Sequence, residues 1–541
     1  MTLLLSIIQF LVTTGMLRFS TVCQLYVVYI SIYCILYCQG LVPAPARRHS
    51  TGIYHHLDEK LTYDNPHENC YILMEALRRF EQRLLLSRQY PIEKVTLSNK
   101  TVNIIKIQLN KICDESHNRL WPSESMNESY SLWILGEKIV IDSEEVWGIL
   151  HGLETILQLV YRSPMETNVI EGGIIFDAPL YSHRGYLIDS SRHYLSTNEI
   201  VKFIDAMAMV KMNVLHWHLV DDESFPYVSK TFPQLSLKGA YHPHLLVYTP
   251  SDVKYILNYA RLRGIRVMPE FDTPGHVGSW GKGHPEVLTQ CYTDQKPNSR
   301  LGPVNPVSNY SYKFMSDLFE ELLDVFPENL FHLGGDEVDR SCWMSNPSIS
   351  EFMKKMQFGD DYRRLEVYYI ERLMQTIKDI KPHGQRITPV VWQEVFENGF
   401  RGDKSTIVHV WKSTFWEIVV KIATRAGYRV LLSSPWYLNL ISYGTDWKNY
   451  YLTNPRVFAA TEEEKKLVIG GEATMWGEYV DNTNLFSRSW PRGAAVAERL
   501  WTEYDKPDTN EFASRLKELR CRMLSRGLNP EPINGPGYCP V

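Results

Sequence analysis

The sequence predicts a (β/α)8 barrel preceded by a small α/β domain, and three observations carry that expectation. From His183 onward, short apolar runs alternate with helix-length amphipathic stretches in eight repeats, the pattern of strands and crossover helices around a parallel sheet. Before that point, amphipathic helical stretches mix with alternating, strand-like runs. The length of 541 residues suits one large barrel with a smaller companion. An open doubly wound sheet is the competing architecture. No GxGxxG or GxxxxGK loop follows any predicted strand, which weakens its nucleotide-binding form.

Taken in order, residues 1–40 read as a secretory signal that is later removed. Arg18 is the one charged side chain in residues 1–46, and apolar runs span Leu3–Val12 and Val22–Cys38. The second run follows Met16-Leu17-Arg18, a short basic region before an apolar one, and Met16 is an alternative start. The competing reading is an uncleaved anchor, because about 18 apolar residues begin to span a bilayer. No later stretch is long and apolar enough to span.

Residues 41–178 form the small domain. A helix is expected from Glu68 to Leu86, with Leu73, Leu77, Phe80 and Leu84 on one face, and another from Ser143 to Val160. Alternating runs at Val102–Ile107, Leu132–Ile134 and Ile139–Ile141 predict strands. Asp177-Ala178-Pro179 ends the unit. Residues 179–541 form the barrel. Its strands are expected at Gly185–Asp189, Val214–Val220, Arg266–Phe271, Leu330–Leu333, Pro389–Glu394, Ile407–Trp411, Arg429–Ser433 and Leu467–Gly471. Ser196 to Glu199 reads as a capping box, and Thr249-Pro250 puts Pro at a first helical position.

Lys plus Arg is 57 against 62 Asp plus Glu, for a net charge of −5. That balance lacks the basic excess of a nucleic-acid binder. Three of the nine Cys fall in the signal, leaving Cys70, Cys113, Cys291, Cys342, Cys521 and Cys539. An even number fits an oxidising compartment, and sequence order favours 70–113, 291–342 and 521–539 among about 15 connectivities. No pair has CxxC spacing, so neither a zinc site nor any other metal is expected. Sequons at Asn99, Asn127 and Asn309 fit surface loops of a secreted glycoprotein.

Barrel chemistry sits just past the C-terminal strand ends. Those positions carry Asp221-Asp222, Asp272 to His276, Asp336-Glu337, Trp392, Trp411, Tyr437 to Asn439, and Trp476 to Glu478, while strand 1 carries His183-Arg184. Trp faces stack on the apolar side of a pyranose, and Asp, Glu and Arg hold hydroxyls. A glycosidase is the reading of these residues alone. Gly334-Gly335 lets Asp336-Glu337 turn into a pocket. Proton donation to a glycosidic oxygen needs a carboxyl raised by burial and a neighbouring negative charge. Two consecutive residues are poorly placed to flank one bond, so one protonates while the other steadies a nucleophile belonging to the substrate.

The stretches HRGYLIDSSRHYL, NVLHWHLVDDESFPY, RGIRVMPEFDTPGH, FHLGGDEVD, VVWQEVF, PWYLN, MWGEYVDNTN and WPRGAAVAERLW resemble family 20 β-N-acetylhexosaminidases of the lysosomal α/β-subunit type. The resemblance runs from about residue 65 to 541. It implies removal of terminal β-linked N-acetylglucosamine or N-acetylgalactosamine without a cofactor. The 2-acetamido oxygen attacks the anomeric carbon, and an oxazoline-type intermediate opens with retention. By motif, Glu337 resembles the general acid and Asp336 the residue that orients the acetamido N–H. Tyr437 resembles the donor to the acetamido oxygen, and Trp392, Trp411 and Trp476 the aromatic walls. Arg184, Asp221, Asn439 and Glu478 resemble hydroxyl-binding groups, and His276 the histidine beside the acid. Asp222 competes with Asp221, and Trp411 has a plain core alternative.

Leu440 stands where the α subunit has an arginine for anionic sugars, which puts sulfated and sialylated substrates in doubt. The resemblance further implies a homodimer, with Tyr443 reaching the neighbouring site, in the lysosome or outside the cell. A carbohydrate-binding protein without turnover, or a trimming enzyme for chitooligosaccharides or N-glycans, are the alternatives.

Overall fold

A computed structural model of the protein describes residues 40–540 apart from 87, 381–386, 413–414, 441 and 443. The expected signal, except Gly40, and Tyr443 lie outside the described residues.

The first unit is a seven-stranded sheet of β1 (Arg47–Asp64), β2 (Tyr90–Pro91), β3 (Thr96–Leu109), β4 (Tyr130–Ile134), β5 (Lys138–Ser143), β6 (Val160–Arg162) and β7 (Asn168–Asp177). The strand order is β1-β3-β5-β4-β7-β6-β2. Period-two alternation in β3 turns Ile105, Ile107 and Leu109 inward. The helix Tyr71–Leu86 buries Leu73, Leu77, Phe80 and Leu84 on one stripe. The helix Val146–Leu159 is buried almost all round. Leu262 and Trp501 of the barrel join this domain's core, so both faces of the helix are covered. Sequence patterning missed β1, because its side chains are mostly exposed and its place is set by pairing with β3 and β7.

The second unit is a closed barrel. Its first strands are β8 (His183–Asp189), β9 (Val214–Val220) and β10 (Arg266–Phe271). A hairpin of β11 (Leu288–Thr293) and β12 (Lys296–Val304) follows as an excursion. The barrel continues with β13 (Leu330–His332), β14 (Thr388–Trp392), β15 (Ile407–Val410), β16 (Arg429–Leu432) and β17 (Val468–Met475). Neighbouring barrel strands pair in parallel throughout. Ser196 caps its helix by accepting from the Glu199 N–H, and Thr249 and Asp252 form a full capping box. All three expected disulfides are present. Cys291–Cys342 ties β11 to the helix Ser341–Ser345.

The barrel interior is layered by the two-residue period of its strands. Val214, Met268, Leu330, Val390 and Ile407, with Leu431, form an apolar plug toward the N-terminal ends. Two residues further along their strands come His216, Glu270, His332, Trp392 and His409, all buried. Glu472 joins this polar layer. β17 runs four residues beyond the expected end at Gly471, so Glu472 lies inside the strand rather than after it. Its carboxylate bonds His216 Nδ1 at 2.7 Å and His183 Nε2 at 2.6 Å. His216 and His218 both meet Glu270, at 3.0 and 2.7 Å.

Candidate active site

Above the polar layer, the C-terminal strand ends enclose a cavity of about 320 Å³. Asp336 and Glu337 enter it after β13 on a backbone that only glycine permits. Gly334 and Gly335 have φ of +72° and +98°, and a Cβ at Gly334 would fall 1.5 Å from Asp272 Oδ1. A Cβ at Gly335 would fall 2.4 Å from Val395. Glu337 itself adopts φ 48°, a left-handed conformation that costs energy for a non-glycine residue.

The two acids have unlike surroundings. Asp336 is buried, and its Oδ1 has no hydrogen-bond partner. The expectation that the proton donor is buried is not met, because Glu337, the acid by motif, has its side chain 61% exposed at the cavity rim, and the burial lies with Asp336 instead. Burial, then the charge of Asp336, raises the Asp272 carboxyl well above the usual carboxylate range. It also accepts the Gly335 N–H at 2.9 Å.

His276 Nε2 lies 3.8 Å from Asp336 Oδ2 and 3.9 Å from Glu337 Oε2. Its Nδ1 bonds Asp221 Oδ1 at 3.0 Å. Burial opposes the charge on His276, but the Asp221 hydrogen bond and the Asp336 charge outweigh it, pushing the imidazole up to about 9. A cation thus stands between the two acids.

Asp221 differs from its expected role. Its Oδ2 is taken by His218 and Arg192 at 2.7 and 2.8 Å, and its Oδ1 by His276 and the Asp222 N–H. Burial acts against its charge, but the hydrogen bonds from His218 and His276 hold the carboxylate well below the usual range. Asp221 therefore orients His276 rather than offering itself to hydroxyls. Asp222 is exposed and bonds the Gly278 N–H.

Arg184 requires a correction. It is the second residue of β8, at the end of the barrel opposite the cavity, and is fully buried against Glu128, with hydrogen bonds to the Lys211 and Tyr181 carbonyls. The arginine in the cavity is Arg192, just past the C-terminal end of β8. Asp189 accepts from the Ser191, Arg192 and Gly477 N–H groups. The same carboxylate pairs with the Arg192 guanidinium at 3.1 Å. Arg192 also sits 5.3 Å over the Trp476 ring. The strand-end rule, applied to the whole SSRHYL turn instead of the first basic residue, points to it.

Trp411, Tyr437, Asn439, Trp476 and Glu478 all line the cavity. Trp411 stacks on Tyr437 with ring centres 6.0 Å apart. Burial raises the Tyr437 phenol well above 10, so it remains a donor. Asn439 keeps a buried Oδ1 without a partner. Trp392 is 1% exposed and lies behind the walls, 6.4 Å from Trp411 and 6.0 Å from Trp476, with its N–H on Glu270 at 2.8 Å. Sequence reasoning gave no role to three residues: Arg192, Asp272, which it placed at a strand end, and Glu394, which bonds the Trp411 indole N–H at 2.8 Å.

Residues 181–504 match the glycosyl hydrolase family 20 catalytic domain, and residues 41–159 match a domain described as beta-acetyl hexosaminidase like. The chain is 48% identical to the beta-hexosaminidase subunit alpha of Bos taurus over 480 residues, covering 87% of this chain and 88% of that one. It is 46% identical to subunit beta of Homo sapiens over 475 residues, covering 87% and 83%. Among solved structures, a Flavobacterium johnsoniae chitobiase aligns with TM-score 0.76 at 30% identity, covering 90% of this chain and 73% of that one. The Streptomyces plicatus N-acetyl-beta-hexosaminidase aligns with TM-score 0.72 at 21% identity, covering 92% and 97%, a likeness of fold.

Proposed function

Since the chain belongs to glycosyl hydrolase family 20, we propose how its own residues divide the work of that family's reaction. The protein is a retaining exo-β-N-acetylhexosaminidase that removes terminal β-linked N-acetylglucosamine or N-acetylgalactosamine from glycoconjugates. The amide oxygen of the substrate is the nucleophile and gives an oxazoline-type intermediate.

Glu337 protonates the leaving oxygen and then, as base, activates water. Asp336 receives the acetamido N–H and balances the positive charge that develops as the ring closes. Tyr437 donates to the acetamido oxygen, aiming it at the anomeric carbon. His276, fixed by Asp221, provides a nearby positive charge when Glu337 carries its carboxylate. Arg192, Asn439 and Glu478 meet ring hydroxyls, and Trp411 and Trp476 wall the sugar. The single observation that carries this reading is the consecutive pair Asp336-Glu337 in one cavity with the Tyr437 phenol, both acids within 4 Å of His276.

Chromogenic 2-acetamido and 2-hydroxy glycosides test it. The acetamido substrate should turn over at least a thousandfold faster, because only it carries a nucleophile, and comparable rates would overturn the assignment. Leu440 is 62% exposed at the cavity and brings no charge, which favours neutral over 6-sulfated sugars.

A homodimer is supported by an apolar patch in which Phe415, Ile418 and Ile422 are 70, 53 and 50% exposed. Ile418→Glu with Ile422→Glu should yield monomers in light scattering. Three disulfides and exposed Asn99, Asn127 and Asn309 support passage through the secretory pathway, to the lysosome or outside the cell. No helix among the described residues is long and apolar enough to cross a membrane.

A further inference from the structure

We propose that Glu394, together with Gln393, is a positioning residue that fixes the sugar wall Trp411; the inference rests on the reading of Trp411 as that wall. β14 ends at Trp392, and the next five residues, Gln393–Glu397, turn into a short helix. Two consecutive side chains from this turn reach across to the end of the neighbouring strand β15. Gln393 is 1% exposed, and its Oε1 accepts the backbone N–H of both Trp411 and Lys412 at 2.9 Å. Glu394 Oε2 accepts the Trp411 indole N–H at 2.8 Å, while Oε1 lies 3.0 Å from Lys412 Nζ. The backbone and the ring of Trp411 are therefore held by adjacent residues of one rigid turn.

The ring needs such a hold. Trp411 is half-buried and touches Tyr437 face to face and Trp392 edge to face. Ring contacts of this kind tolerate sliding and rotation, whereas an indole has one N–H, and one directed hydrogen bond selects a single orientation. The acceptor is a carboxyl oxygen on a side chain only 13% exposed, so the bond is little screened by water. Glu394 also faces a second cleft behind Glu337, with Arg340, Glu366 and Glu397. No part of the reaction scheme uses Glu394 directly, which makes its action on substrate indirect, through Trp411.

The test is a double-mutant cycle on an aryl N-acetylglucosaminide with Glu394→Met, Trp411→Phe and the pair together, beside Glu394→Gln. Glu394→Met keeps the shape and loses the acceptor; Trp411→Phe keeps a ring and loses the donor. Each single change should raise KM about tenfold, the cost of leaving one buried hydrogen-bonding group without its partner, with kcat changed less. The double variant should be no worse than either single one. Glu394→Gln retains an oxygen acceptor and should restore KM to within about threefold. Effects that multiply independently, or an unchanged KM in Glu394→Met, overturn the proposal. Should Glu394→Met fail to fold, Trp411→Phe alone must still raise KM, and a wild-type value there overturns it equally. Trp411→Ala separates the two layers of the argument: wild-type kinetics in that variant would remove the sugar-wall reading itself.

Discussion

Two arginines of β8 and the turn after it make opposite predictions. Arg192→Gln removes a guanidinium that lines the cavity and is held by Asp189 at 3.1 Å, Asp221 at 2.8 Å and Glu223 at 3.3 Å. A lost hydrogen bond to a charged group costs about 1.5–3 kcal/mol. At about 1.4 kcal/mol per decade, kcat/KM should fall roughly 10- to 150-fold. Arg184→Gln acts elsewhere. It leaves the buried Glu128 carboxylate with Asn213 and His151 but without its guanidinium. Removing one partner of a buried pair destabilises by about 3–5 kcal/mol. Steady-state kinetics and thermal melts on both variants decide the matter. The expected outcome is a kcat/KM defect per folded molecule for Arg192→Gln, whose pairs with buried Asp189 and Asp221 also lower its Tm, and a lowered Tm with near-normal kcat/KM per folded molecule for Arg184→Gln. The reversed pattern would refute the assignment of the two ends of β8.

Three further outcomes are expected. Glu337→Gln should lose about 10²–10⁴ in kcat, the usual contribution of general acid catalysis, on substrates with poor leaving groups, while calorimetry still detects binding of N-acetylglucosamine; near-normal turnover contradicts its role. Asp336→Ala should slow acetamido substrates by about 10²-fold or more, and a wild-type rate removes it from the mechanism. Burial, then the charge of Asp336, pushes Glu394 up to about 7 from an ordinary 4.5; Lys412, Arg340, Glu366 and Glu397 also face it. Between those values the folded protein holds a proton that the unfolded chain has released. Stability should therefore fall as pH rises through that window, by up to about 3 kcal/mol. Glu394→Gln should show a flatter Tm profile between pH 4.5 and 7.5, and parallel profiles would rule the titration out.

Much of the fold was legible because the barrel strands are short apolar runs punctuated by caps and glycines. Ser196, Thr249 and Pro250 announce their helices by local chemistry that tertiary packing does not alter. β1 and the β11–β12 hairpin were not legible. The side chains of β1 and β12 are largely exposed, and the positions of these strands depend on hydrogen bonds to distant strands or on Cys291–Cys342. In the site, Asp336, Glu337, Tyr437 and Trp476 could be read because each lies within about five residues of the C-terminal end of a barrel strand. Arg184 misled because a motif places it near Arg192 in sequence, while a strand of seven residues separates their ends of the barrel in space. The saturation of Asp221 and the hold of Glu394 on Trp411 join residues far apart in the chain, and no local pattern encodes them.

The claim on which the mechanism depends is that the substrate's own amide performs the attack. Aryl glycosides whose N-acetyl group carries one, two or three fluorines test it, since each fluorine withdraws electron density from the amide oxygen while the leaving group stays the same. The account predicts a steep, progressive fall in kcat/KM across the series. A flat series would show that another nucleophile does the work.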